Sequence, residues 1–348
     1  MAYGDWDEYL IHQLPTTIDH VGDGDPNWTD RFFFGCHPLD GRLLLTTGYG
    51  VSPNQQIGAG YARLALADGR HWDVSARRNC SEDRQEAFAG PLRFTVLEPR
   101  ERWRLECGPN PSGLEFDLEF QQRLPLYEFK PAFHRRHGRV VLNQQHMQQA
   151  GGYQGWIRTN EETLTVDGFH GVRDRSWGVR NHGEIDMWLW CAAQFEDRAV
   201  AAWLLENSDG HPVYVDGCLS GPDGPLSAAF VKLDHHLRFD GDLKRETGGE
   251  FVFLDEDGRR FELKAVADHP AVNVYHGAML SPATEPVQGQ QWDETDLETL
   301  RKVEARAPVS DQLMRYELDG AIGYGVLELW VSGDGYRPYE PNWPHLRQ

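Results

Sequence analysis

The chain has 348 residues, 40% hydrophobic and 25% charged, a globular composition that excludes collagen-like, low-complexity and disordered classes. Its 34 basic and 54 acidic side chains leave a formal net charge of −20. That field repels phosphate backbones and anionic lipid, so neither nucleic acid nor a membrane surface is an expected partner, and no apolar run approaches the roughly 20 residues needed to cross a bilayer.

The length suits two ordinary domains or one large β structure. The opening MAYGDWDEYL is acidic and aromatic, unlike a secretory signal or an Arg-rich transit peptide. Cys36, Cys80, Cys107, Cys191 and Cys218 are odd in number, scattered, and without zinc-type or redox-type spacing. They read as reduced thiols, and the chain as cytoplasmic. The 12 Trp, 12 Tyr and 16 Phe either line concave surfaces or fill a β core.

Asp-Gly dipeptides, which favour tight turns, punctuate the chain and are followed by strand-like runs. Asp40-Gly41 leads into RLLLTTGY, Asp68-Gly69 into RHWDVSA, and Asp257-Gly258 into RRFELKAVA. LRFTVL (92–97), RWRLEC (102–107) and above all LEFDLEF (114–120) alternate with period two, Leu114, Phe116, Leu118 and Phe120 sharing one face. The Gln-rich NQQHMQQAGGYQG (143–155) reads as a boundary or a long hairpin arm, giving domains at 1–155 and 156–348. MWLWCAAQF (187–195) and AVAAWLL (199–205) are nearly continuous apolar strands, expected where both faces are covered. DETDLETLRKVEA (293–305), acidic early and basic late, is the best helix, and IGYGVLELWV (322–331) the last strand. Short strands, Gly-rich turns and no βαβ alternation predict an all-β chain of antiparallel sandwich or barrel domains with few short helices.

No phosphate loop, dinucleotide fingerprint or HExxH is present. Asp174-Arg175-Ser176-Trp177-Gly178 lacks the first glycine of a nucleophile elbow, and strand rather than helix follows it. His134 and His137, with His146 nearby, have no third ligand at defined spacing and read better as a solvated patch, so no metal is expected. His276 sits in an apolar setting and either looks into a cavity or is a hydrogen-bonded core histidine.

The informative segment is HGVRDRSWGVRNHGEID (170–186), which packs His170, Arg173, Asp174, Arg175, Arg180, His182, Glu184 and Asp186 around Trp177, immediately before an apolar strand. Such a polar block beside buried strands must be paired. Either Asp174 pairs with neighbouring arginines as a latch, or the charges line a pocket where a carboxyl group has a tuned pKa.

The D-x-x-W-G core, Asp174 to Gly178, between two β-rich halves resembles the lipocalin-like family that includes bacterial carotenoid 1,2-hydratases (hydroxyneurosporene synthases) and AttH-like proteins, with fungal lipocalin-like pericyclases more distant. RFFFGCHPLDGRLLLTTGYGVSPN (31–54) and IGYGVLELW (322–330) look like its bacterial branch. The resemblance implies two lipocalin-like β domains packed together, a hydrophobic cavity for a terpenoid or polyketide, and a proton-donating role for Asp174. Arg175 and Ser176 stand where the hydratases commonly have His and Asn; a flanking arginine favours an ionised carboxylate, a better general base than acid.

The expected function is a cofactor-independent hydratase-, isomerase- or cyclase-type lyase acting on a hydrophobic small molecule. Protonating an alkene carbon needs a carboxylic acid, apolar walls and aromatic faces to stabilise a cation. Asp174 is the candidate acid or base, and His170 and His182 would position water. Arg173, Trp177, Arg180, Trp188, Trp190 and His276 are the candidate substrate contacts, Trp188 and Trp190 on one side of a strand. A non-catalytic ligand carrier and a Ser176 hydrolase are the rival readings. A homodimer is compatible with the sequence.

Overall fold

The computed structural model describes residues 3–10, 23–80, 83–181, 184–240, 245–276, 287–294, 296–306, 309–331 and 336–339. Two antiparallel sheets account for nearly all of it, one of 13 strands and one of 10. The first runs from Val287–Asp293 through Arg70–Asn79, Ile57–Leu66, Leu43–Ser52, Trp28–His37, Thr163–Arg180 and Arg139–Arg158 to the hairpins of residues 87–122. It curls until its far edge returns to the Ile57–Leu66 strand, where Leu92 lies against Gly60. The second sheet centres on Met187–Gln194, flanked by Ala199–Glu206 and Ala321–Val331. It curls likewise, bringing Phe230 against Gly217. Curling closes most of each edge, which would otherwise expose unpaired backbone groups.

The expected break at residues 155/156 falls inside the Arg139–Arg158 strand; the chain first changes sheets between Arg180 and Met187, and returns to the first sheet for the Val287–Asp293 strand. The Gln-rich stretch is therefore not a linker. It is strand whose polar side chains Gln144, His146, Gln148 and Gln149 are buried. The expected helix is present as Leu297–Arg306.

Each curled sheet has its own apolar interior, and a third cluster lies between the sheets. This explains the uninterrupted apolar runs at 187–194 and 199–206: odd positions of Met187–Gln194 face the second barrel's interior, while Trp188, Trp190 and Ala192 face the seam. Both interiors are filled. Glu8, from the N-terminal segment, enters the first alongside Leu10, and Tyr336 and Tyr339, from near the C terminus, enter the second.

Candidate functional site between the two sheets

Period-two alternation divides the Thr163–Arg180 strand into two rows of opposite fate. The inward row carries Arg173 and Arg175. Arg173 donates to both carboxylate oxygens of Glu8 at 2.8 and 2.7 Å and to Gln149 Oε1 at 2.7 Å, with neither charged partner exposed. Arg175 pairs with Asp30 and donates to the carbonyls of Asp7 and Tyr9. Two of the candidate substrate contacts are thereby corrected: Arg173 is a barrel-interior ion pair, and Trp177, also on that row, has its ring 6.2 Å from Tyr3. Arg175 likewise does not pair with Asp174, because its guanidinium is on the other side of the sheet and bound to Asp30.

The outward row carries Asp174, Ser176 and Arg180. Asp174 is 7% exposed, and the hydrogen-bonding contact of its carboxyl group is to a histidine. Its Oδ2 lies 3.1 Å from Nε2 of His146, on the neighbouring Arg139–Arg158 strand, and among the described residues its Oδ1 has no hydrogen-bond partner. The register explains the pairing: Asp174 stands opposite Gln148 and Ser176 opposite His146, so the two side chains are diagonal neighbours on one face. His146 is wedged among aromatic rings, stacked on Phe129 at 4.9 Å and edge-on to Trp203 at 4.9 Å. Trp190, opposite Trp203 in the second sheet, meets Phe33 edge-on at 5.6 Å, and Phe33 is the cross-strand neighbour of Asp174. An acid–base pair from one sheet thus looks onto an aromatic wall from the other.

Trp188 joins that wall, so the expectation that it shares a face with Trp190 holds. The Arg180 guanidinium lies 5.1 Å over the Trp188 ring and donates to Gln144 Oε1 and Ser176 Oγ. Arg180 therefore lines the seam, as a positioned cation. Ser176 Oγ also receives Arg31 Nε, so two guanidiniums meet that hydroxyl where an activating base would be needed. The strand runs unbroken through Ser176 and forms no elbow.

Unpartnered polar atoms gather in this gap. Among the described residues, Asp174 Oδ1, His146 Nδ1, Gln148 Oε1, Arg180 Nη1, and the indole nitrogens of Trp190 and Trp203 are buried without a hydrogen-bond partner. Buried polar atoms are rarely left so, and their concentration in one place marks space for water or a ligand. A cleft of about 300 Å3, lined by His134, Arg135, Ile185, Glu206 and others, reaches Leu142 and Leu205 of the same inter-sheet cluster.

The remaining candidates lie elsewhere. His170 is on the outward row but four residues from Asp174, roughly 13 Å along the strand. It approaches Arg123 at 3.2 Å, and burial together with Arg123 and His37 lowers its pKa to about 4. It is a neutral structural contact at the edge of the seam. His182 and the His276 side chain lie outside the described residues; the His276 backbone ends the Asn273–His276 strand. Among the described residues no three His, Cys, Asp or Glu side chains gather as a metal site. No described helix is long and apolar enough to cross a membrane.

Sequence reasoning missed His146 as the partner of Asp174, and it missed Tyr61 and Asp311, which face the same gap from strands far along the chain. Tyr61 belongs to the inter-sheet cluster, and Asp311 is fully buried opposite Val274 of that cluster. The one signal for His146 was its even spacing with Gln144 and Gln148, a polar row that a linker would not require.

Comparison with solved structures finds the same two-sheet architecture in distant proteins. An AttH-like protein of Nitrosomonas europaea matches with a TM-score of 0.62 at 14% identity, covering 93% of this chain and 98% of that one. Kievitone hydratase from Nectria haematococca matches at 0.57 and 10%, covering 92% and 96%. CghA, in its complex with Sch210972, matches at 0.55 and 12%, covering 88% and 89%. At such identities the likeness shows the fold alone, two curled antiparallel sheets shared with these proteins. No curated protein matches the sequence. A family model matches residues 3–338, nearly the entire chain, and the chain belongs to that family, described as a family of unknown function, DUF8625.

Proposed function

We propose that this protein is a cofactor-independent lyase or isomerase, of hydratase or cyclase type, that acts on a hydrophobic small molecule such as a terpenoid or polyketide held between its two sheets. The observation that carries the reading is the environment of Asp174: buried, its second oxygen unpartnered among the described residues, and 3.1 Å from His146, which packs against Trp190 and Trp203. The fold neighbours support it in kind, since one is named a hydratase.

The chemistry follows from the groups present. In hydration, the Asp174 carboxyl gives its proton to one alkene carbon, and the π pair becomes the new C–H bond. The tryptophan faces stabilise the resulting cation. Water then adds to that cation and returns a proton to the carboxylate, so one water is consumed and the acid regenerated. His146 fixes the carboxyl rotamer and relays the water's proton. With an activated C–H substrate the same pair works in reverse, as base first. The cleft at Leu142 and Leu205 serves as the entrance.

The test is a screen of isoprenoid, steroid and aromatic alkenes and enones for gain of one water or for isomerisation, repeated with Asp174→Asn and His146→Gln. General acid–base catalysis contributes about 100-fold or more, so Asp174→Asn should lower kcat by at least that factor with the fold intact. Turnover near the wild-type rate by Asp174→Asn would rule out acid–base chemistry and favour a carrier, or catalysis by shape alone.

A further inference from the structure

Among the described residues five arginines are buried: Arg63, Arg173, Arg175, Arg180 and Arg245. Four have a carboxylate within ion-pair distance, Asp73 at 3.6 Å for Arg63, Glu8 at 2.7 Å for Arg173, Asp30 for Arg175 and Glu294 at 2.7 Å for Arg245. Arg180, 5% exposed, has none among the described residues. Its guanidinium is held by Gln144 Oε1 at 2.9 Å, by Ser176 Oγ at 3.0 Å and by the face of Trp188, all of them neutral. A buried charge without an opposite charge is costly, so its retention points to a partner that arrives from outside.

The atoms around it are donors. Arg180 Nη1 and Gln144 Nε2 are buried without a hydrogen-bond partner, and the contact of Gln144 Oε1 with Arg180 fixes which end of that amide donates. Ser176 Oγ accepts from Arg180 and from Arg31, which leaves its own proton to give. Leu142, Gln144 and His146 stand opposite Arg180, Gly178 and Ser176, so these groups share the seam face. Gly178 lies between Ser176 and Arg180 on that face, and its missing side chain leaves the guanidinium a path back to Ser176. Its φ of 123°, and an Asn143 carbonyl oxygen that a Cβ would strike, require glycine there. Leu142 also lines the entrance cleft, so the subsite is reachable from outside. The acids of that cleft are bonded elsewhere, Glu184 to Arg139, Asp186 to Arg136 and Glu206 to Tyr336.

Resting on the reading of the inter-sheet gap as the substrate chamber, we propose that Arg180, Gln144 and Ser176 form an anion subsite that takes the substrate's carboxylate. The substrate is then a hydrophobic carboxylic acid whose unsaturated part reaches Asp174. Ser176 is two residues from Asp174 on the same face, roughly 7 Å along the strand, which sets the distance between the acid group and the reacting carbon. A planar carboxylate lies in the plane of a guanidinium and accepts from Nη1 and from the neighbouring amide or hydroxyl at once. A neutral analogue would leave the buried charge uncompensated, and sites of this kind discriminate strongly against molecules that lack the bonding group.

The experiment is equilibrium dialysis at pH 7 with two probes of the same shape, trans-stilbene-4-carboxylate and trans-stilbene-4-carboxamide. Wild-type protein should bind the carboxylate at least about tenfold more tightly, as expected for charge-assisted hydrogen bonds. Arg180→Met keeps an unbranched stem over Trp188 and should reduce that preference to about twofold or less, with the carboxamide Kd unchanged. Arg135→Gln, in the entrance cleft, should leave the preference intact. If the wild type binds both probes equally, or the preference survives Arg180→Met, or that variant weakens both probes alike, the subsite is overturned and the chamber stands. If neither probe binds the wild-type protein, the chamber reading fails and the subsite with it. Near-UV circular dichroism checks the fold. Should Arg180→Met not fold, wild-type crystals soaked with the carboxylate decide: an oxygen within about 3.2 Å of Arg180 Nη1 supports the subsite, and a carboxylate bound away from Arg180 overturns it.

Discussion

Glu8→Gln should cost about 3–5 kcal/mol of folding stability, the penalty for stranding one partner of a buried ion pair. The structure supports that size. Arg173 and Glu8 are both fully buried and joined by two charge-assisted hydrogen bonds of 2.8 and 2.7 Å. Such bonds are worth about 1.5–3 kcal/mol each, so two of them reach the same range. Glu8 also accepts Trp103 Nε1 at 3.1 Å, tying the N-terminal segment to the barrel wall. The double substitution Glu8→Leu with Arg173→Met removes both charges and fills the space, and should recover most of the loss. Urea unfolding of the wild type, Glu8→Gln and the double variant, compared at constant m, measures these values. A Glu8→Gln cost under about 1 kcal/mol, or a double variant no better than the single one, would refute the assignment of the inward row to structure.

Two further outcomes follow from named groups. Burial raises Glu246 from the ordinary carboxyl value of 4.5 to about 8, so between those values the unfolded chain is ionised at this carboxyl while the folded protein is not. Its stabilising contribution is complete below pH 4.5 and lost as pH rises through 8, a difference of about 3 kcal/mol by pH 7. Glu246→Gln should therefore stabilise the protein at pH 7–8 and change little near pH 4; equal effects at both, followed by thermal or urea unfolding, would contradict this. Gly48→Ala should destabilise by about 1–3 kcal/mol, because the added methyl strikes the Phe32 carbonyl and the Tyr61 ring; unchanged stability in urea unfolding would show that the ring does not lie across Gly48.

The fold was legible because its signals are local. Alternation at 114–120 foretold the Glu115–Gln122 strand, and the doubly covered strands at 187–205 announced themselves as unbroken apolar runs. The candidate site was legible only in part. Asp174 could be singled out from its motif, yet the dense charge around it read as one cluster, whereas alternation sends Arg173 and Arg175 to a different compartment. His146, Tyr61 and Asp311 reach the gap from separate strands by antiparallel pairing and curvature, which no spacing along the chain encodes. Of the two readings of the Gln-rich stretch, the long hairpin arm held, paired with Thr163–Arg180, and the boundary failed for a physical reason: polar composition usually marks exposure, but here it lines a seam between two sheets.

The most direct trial of this account is a crystal structure of the protein soaked with trans-stilbene. Density between the sheets, against Phe33 and Trp190 and within about 4 Å of the Asp174 carboxyl, is the expected result. Density inside either barrel, or an Asp174 carboxylate clasped by an arginine with no room beside it, would contradict it.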